Sequence, residues 1–88
     1  MDRDIRLKRL QFRSWHRGTR EADYLVGGYF DTRSAGWGDA ELAAFEALIE
    51  EQDVDILAWA MGMADPPEHI SPALIADMRT LDYIDTSR

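Results

Sequence analysis

The sequence predicts an all-α fold, a single compact bundle of about five short helices. Three observations predict it. Apolar residues recur at helical spacing in segment after segment, and no stretch alternates apolar and polar residues over a long run. With 88 residues and no cysteine, neither disulfides nor thiolate zinc sites can reinforce the one core such a length supports, so helix packing must supply the stability. The expected domain is the whole of residues 1–88, with a frayed end over 85–88.

Residues 3–15 lack proline and glycine and read as the first helix, with Arg6, Arg9, Arg13 and Arg17 near one stripe. Leu7 and Leu10 fall on one side of that stripe, and Ile5, Phe12 and Trp15 on the other. The helix is therefore either clasped on two sides or leaves apolar surface for a partner. Thr19 is positioned to cap the second helix, with Glu21 in its first turn where the dipole favours a negative charge. Ala22, Leu25, Val26, Tyr29 and Phe30 then follow the i, i+3, i+4, i+7, i+8 pattern of a buried stripe. Gly27 and Gly28 inside it each cost about 1 kcal/mol relative to alanine, which points to close packing of another backbone there rather than a break.

Thr32 to Gly38 reads as a loop with Trp37 folded back onto the domain, and Asp39 can cap a third helix. Leu42, Phe45, Leu48, Ile49 and Gln52 line one side of that helix, leaving Glu41, Glu46, Glu50 and Glu51 toward water. Asp53 starts a fourth. Val54, Leu57, Ala58 and Met61 make one face of it while Ile56 and Trp59 lie opposite, the pattern of a central helix buried nearly all round. Gly62 and Asp65-Pro66-Pro67 stop that helix, and Ser71-Pro72 opens a fifth whose inward face is Leu74, Ile75, Met78 and Leu81. There is no internal repeat and no low-complexity segment.

The charge is distributed unevenly. Residues 1–20 hold seven Lys or Arg against two Asp, a net +5, whereas residues 21–88 hold three Arg against fifteen Asp or Glu, a net −12, giving −7 in all. A surface acidic over most of its area repels nucleic acid and anionic membrane, while its basic end can attract an acidic protein patch or a phosphate. Protein partners are expected. No stretch approaches the ~20 apolar residues needed to span a bilayer, and the opening residues lack the apolar run of a secretory signal. Asp2 and Asp4 argue against a mitochondrial presequence, so the expected location is a bacterial cytoplasm, without membrane insertion.

The most informative string is Arg17-Gly18-Thr19-Arg20-Glu21, where the basic opening gives way to the clean pattern of the second helix. An arginine fork, a bare backbone and a carboxylate at this spacing make a compact polar surface suited to docking. Arg13-Ser14-Trp15-His16-Arg17-Gly18-Thr19-Arg20-Glu21-Ala22-Asp23, then Tyr29 and Phe30, then Asp53-Val54-Asp55-Ile56-Leu57-Ala58-Trp59 together resemble the SdhE-like family. These are small helical assembly factors that promote covalent attachment of FAD to the flavoprotein subunit of succinate dehydrogenase. The resemblance runs roughly from Leu7 to Leu81. Its most specific parts are Arg17-Gly18-x-x-Glu21-x-Asp23 and Asp53-x-Asp55-x-x-x-Trp59, and it departs at Thr19 and Ala22, where the family often has larger apolar residues, and at His16, where it has a basic one.

The resemblance implies a chaperone-like role with no catalytic residues. The chain binds the flavoprotein subunit of succinate dehydrogenase, with that of fumarate reductase as a second candidate, and holds it in the conformer that bonds its own histidine to FAD. FAD is then the partner's cofactor, and none is held stably here. The candidate partner-binding residues are Arg17, Gly18, Arg20, Glu21 and Asp23, extended by Arg9 and Arg13.

Other classes compete. The arginine stripe with the Arg17-Gly18 turn could instead form a small nucleic-acid-binding helical domain, against which the net charge argues. His16 with Glu21 and Asp23 could form a metal or acid/base cluster, although a histidine at a helix end is more often a cap or a surface residue, and His69 reads as loop surface. Gly27-Gly28 lacks the strand and turn of a dinucleotide fingerprint. Trp15, Trp37 and Trp59 read as core rather than as a platform for a flavin ring.

Overall fold

The computed structural model describes residues 3–83, so the frayed end expected over 85–88 lies outside the described residues. Among the described residues the helices are, in order, α1 (Arg3–Trp15), α2 (Arg20–Arg33), α3 (Asp39–Ile49), α4 (Asp53–Ala60) and α5 (Pro72–Met78), with a 3₁₀ turn at Ser34–Gly36. There is no strand among the described residues. None of these helices is long and apolar enough to cross a membrane.

The middle of the bundle is α2. Ala22, Leu25, Val26, Tyr29 and Phe30 are all buried, as their spacing predicts. Around Tyr29 and Phe30 the rings of Trp37 and Phe45 pack at centroid distances of 5.1–6.4 Å, joining α2, the 3₁₀ turn and α3 into one aromatic cluster. Burying a ring such as Phe45 contributes about 2–3 kcal/mol. Leu42, Leu48 and Ile49 complete the inward side of α3, but Gln52 falls beyond the helix and is exposed.

The helix does not break at Gly27-Gly28, and the reason is a close approach. A Cβ on Gly27 would overlap the indole of Trp15, so a side chain of α1 packs there. One on Gly28 would lie 3.6 Å from both the ring and the backbone carbonyl of Tyr83, so the other backbone that the sequence suggested approaches at Gly28 alone. Trp15 also donates Nε1–H to Asp31 at 3.1 Å, which lays the ring along α2. Beyond Gly28 the helix continues through Thr32 to Arg33 before the 3₁₀ turn, so the segment expected to be loop is partly helical.

The cap of α3 is also different from expectation. Gly38 occupies the N-cap position and Glu41 accepts its N–H at 3.0 Å, while Asp39 is already helical. Expected caps are present at Thr19, which accepts from Ala22 N, and at Ser71, which accepts from Leu74 N, with Pro72 first in α5.

The expectation for α4 fails. Ile56, Trp59 and Ala60 are buried, but Val54 and Met61 are 67% and 52% exposed, so α4 lies on the surface with one inward side. Its pattern is apolar all round because Val54 and Met61, which meet solvent, share a face with Leu57, which packs only at the edge of the core. The helix stops where Met63 N–H reaches back to Ala58 O and Gly62 N–H to Trp59 O, a Schellman arrangement.

α5 buries Leu74, Ile75 and Met78 as predicted, with Leu81 packed at its edge. Ile70 and Tyr83 add to the core from either side of it, and neither was legible from periodicity. Tyr29 donates its hydroxyl to Asp77 at 2.8 Å, and Arg33 pairs with both Asp77 and Asp82, tying the end of α2 to α5.

Candidate functional site

α1 is a wedge with distinct sides. Leu10 and Ser14 face inward, Ser14 wholly buried with its hydroxyl donating to Leu10 O at 2.7 Å. One flank, through Gln11 and Trp15, meets Asp31 of α2. The other meets α3: Arg6 forms a two-pronged pair with Glu46, 3.0 Å from Nε and 2.5 Å from Nη2, and Arg13 pairs with Glu50. Glu46 and Glu50, which the spacing placed toward water, are thus partners of α1. The hydrogen bond from Arg6 holds the Glu46 carboxyl below the usual carboxylate range, against the opposing effect of its partial burial.

Between α1 and α2 the chain makes a tight corner. Arg17 donates its backbone N–H to Asp23 Oδ1 at 2.7 Å, so Asp23 closes the corner from the first turn of α2. Gly18 follows at φ +120°, a backbone region that L side chains rarely adopt, which explains glycine at this position. A Cβ there would meet nothing within 4 Å, so its constraint is conformational and its face is open.

The Arg17 side chain turns inward and is only 10% exposed. Nε donates to Asp53 Oδ1 at 2.7 Å, Nη1 to Ile49 O at 2.9 Å and Nη2 to Glu51 O at 3.0 Å. One guanidinium therefore satisfies carbonyls left open at the end of α3 and binds the carboxylate that begins α4. The corner between α1 and α2 is pinned to the corner between α3 and α4. The sequence marks Asp53 as part of a motif but not this link; 36 residues separate the pair, and nothing in the spacing connects them.

The remaining candidate residues lie differently. Gly18, Arg20 and Glu21 are exposed at the start of α2, Arg9 is exposed on α1, and Arg13 is half-buried against Glu50. Among the described residues no hydrogen bond or ion pair engages Arg9 or Arg20, although the charge of Arg9 acts on Glu46. Trp15, His16, Gly18, Thr19, Arg20, Asp23 and Tyr24 line a shallow open groove beside the turn.

His16 does not face Glu21 and Asp23 as a cluster: its Nδ1 lies 2.7 Å from Phe12 O, and Asp23 is engaged by Arg17. Among the described residues no three His, Asp or Glu side chains are grouped to hold a metal ion. The three tryptophans are engaged in packing, Trp15 on Gly27, Trp37 in the aromatic cluster and Trp59 in the core. His69 is exposed, 3.3 Å from Glu51.

Fold and site together define a small all-helical domain that presents a rigid polar turn at one end. The chain belongs to the family described as the flavinator of succinate dehydrogenase, whose model matches residues 8–82. It is 33% identical over 73 residues to the FAD assembly factor SdhE of Acetobacter pasteurianus, covering 83% of this chain and 67% of that protein. It is 33% identical over 66 residues to the mitochondrial succinate dehydrogenase assembly factor 2 of Schizosaccharomyces pombe, and 29% identical over 72 to that of Schizosaccharomyces japonicus. Those matches cover 75% and 81% of this chain and 48% and 50% of the relatives, so the chain spans about half of their length. Nothing in the fold or in these relatives favours nucleic-acid binding.

Proposed function

We propose that this chain is an assembly factor that binds the flavoprotein subunit of succinate dehydrogenase and promotes covalent attachment of FAD to it. The observation that carries this reading is the match over residues 8–82 to a family described by that activity, together with relatives named for FAD and succinate dehydrogenase assembly. The exposed turn supports it, since a corner held in shape by Arg17 and Asp23 and open at Gly18 is suited to docking. The flavoprotein subunit of fumarate reductase, a close chemical counterpart, is the second candidate partner. The working location is the bacterial cytoplasm.

The role is chaperone-like and non-catalytic: the bond between FAD and a histidine of the flavoprotein forms in the partner, and FAD stays with it. A factor that binds the competent conformer more tightly than the others raises its population by the ratio of the two affinities. Within the candidate set, Gly18, Arg20 and Glu21 with Arg9 meet the partner, Arg13 lies at the margin, and Arg17 and Asp23 hold the turn in shape. Gly18 lets the partner's backbone approach, while Arg20 and Glu21 offer opposite charges to it. The test is deletion of the gene: the flavoprotein subunit should lose its covalent flavin fluorescence on a denaturing gel and regain it on complementation. Unchanged fluorescence in the deletion strain removes the reading.

A further inference from the structure

Among the described residues, one side of α1 meets no other helix. Ile5, Arg9, Phe12 and His16 recur at helical spacing on it and are all exposed, Phe12 at 62%. An isolated exposed aromatic is ordinary, but this one is braced. The His16 ring stacks on it with centroids 3.9 Å apart and planes 16° apart. Because a carbonyl only accepts, the 2.7 Å contact to Phe12 O assigns the proton to Nδ1 of His16 and fixes that ring one turn beyond Phe12. Two rings held in place before binding lose little freedom on docking, which is the condition under which an aromatic contributes most to an interface.

The charges around the pair point the same way. Arg6, Arg13 and Arg17 are each paired with a carboxylate of the chain, whereas among the described residues Arg9, exposed on α1, and Arg20, in the groove that His16 lines, are not. His16 also lines the groove that contains Gly18 and Arg20, so the ring pair and the turn form one continuous surface. We propose that the outward face of α1, anchored by the Phe12–His16 stack, is the apolar half of the docking surface, and that it seats in an apolar pocket rimmed by carboxylates on the flavoprotein subunit. This rests on the function proposed above.

Two other occupants fit less well. A second copy would bring Arg9 and Arg20 against the same cations, and an anionic bilayer would attract Arg9 and Arg20 but repel the rest of a chain of net charge −7, with only Ile5 and Phe12 to insert from this face.

The experiment is calorimetric titration of the full chain against the flavoprotein subunit, with Phe12→Ala, Phe12→Tyr and Arg9→Glu beside the unaltered protein, and a melting curve for each. Phe12→Ala is expected to weaken binding about tenfold or more without lowering the melting temperature, since the ring is already outside the core. Phe12→Tyr keeps most of the affinity, and Arg9→Glu weakens it. Unaltered affinity in Phe12→Ala overturns the proposal. So does binding to phosphatidylglycerol-containing vesicles that Phe12→Ala abolishes while leaving the subunit complex intact, which assigns the face to a membrane. Failure of the unaltered chain to bind the subunit is a different result: it removes the proposed function and this inference with it.

Discussion

Arg17 and Arg33 both reach across the bundle to an aspartate more than thirty residues away, yet they hold different things. The Arg17 guanidinium is nearly buried and ends on two backbone carbonyls as well as on Asp53, so it fixes where helices stop and start. Arg33 is held between Asp77 and Asp82 and lies 5.7–5.8 Å from the ring centres of Tyr29 and Tyr83, so it links side chains on helices that are already packed. A buried fork joined to backbone carries a local geometry that nothing else supplies. A more open pair supports a geometry that the core already sets.

The contrast is broken most directly at Arg17. Arg17→Ala leaves Asp53 and two carbonyls without their partner and is expected to cost about 2–3 kcal/mol, with a matching fall in the chemical denaturation midpoint. Arg33→Ala should lower the midpoint less; an equal or larger fall would mean that the C-terminal clasp, not the turn, organises the bundle.

Gly18 comes next. Gly18→Ala forces a side chain to φ +120° and is expected to cost about 1–3 kcal/mol although the space around it is empty. Melting curves at this site separate conformational strain from crowding, since crowding predicts no cost. Gly18→Arg therefore mixes strain with blocked docking and is a poor probe of the partner surface taken alone.

The C-terminal clasp should show itself in acid. Hydrogen bonds from Arg33 and then Tyr29 hold the Asp77 carboxyl below its usual range, and Arg33 does the same to Asp82. A carboxyl depressed in the folded state stabilises it fully above the unfolded value, near 4, and that stability is lost as pH falls through the lower folded value. Denaturation followed from pH 6 to pH 2 should thus show stability declining below about pH 4, with a shallower decline in Asp77→Asn. An unchanged slope in that variant would place the acid response at the other depressed carboxyls, Asp82 or Glu46.

The smallest structural effect is expected at Glu21, exposed in the first turn of α2. Glu21→Lys reverses a favourable dipole interaction worth about 0.3–1 kcal/mol, so the fold should persist. In the proposed function the same change abolishes assistance to flavinylation, because it sets a cation beside Arg20 where the partner meets a carboxylate. Full flavinylation by the folded variant would remove Glu21 from the surface.

Periodicity carried the helices because burial of one face leaves its mark every three to four residues, as in Ala22, Leu25, Val26, Tyr29 and Phe30. It misread α4, where Val54 and Met61 repeat at helical spacing yet meet solvent; an apolar pattern records what can be buried, and neighbours decide what is. It also could not see Ile70 and Tyr83, single residues in irregular segments that no period marks. The string from Arg17 to Asp23 was visible as a unit, and its division into inward and outward members was not. Arg17 and Arg20 have the same chemistry, and only the positions of Asp53, Ile49 and Glu51 turn Arg17 inward while Arg20 stays exposed.

The sequence by itself determined the all-helical class, the caps at Thr19 and Ser71, the stripe of α2, the glycine at the turn and the family, because each depends on residues near one another along the chain. The tertiary structure decided that the basic stripe is largely matched by acidic residues of α3 and α4. It also decided that Gly27 makes room for Trp15, and that Phe12 and His16 stand outside the core as a pair. Those outcomes depend on which segments meet across long stretches of chain, and contact between distant segments is set by the packing of the whole core rather than by any local pattern.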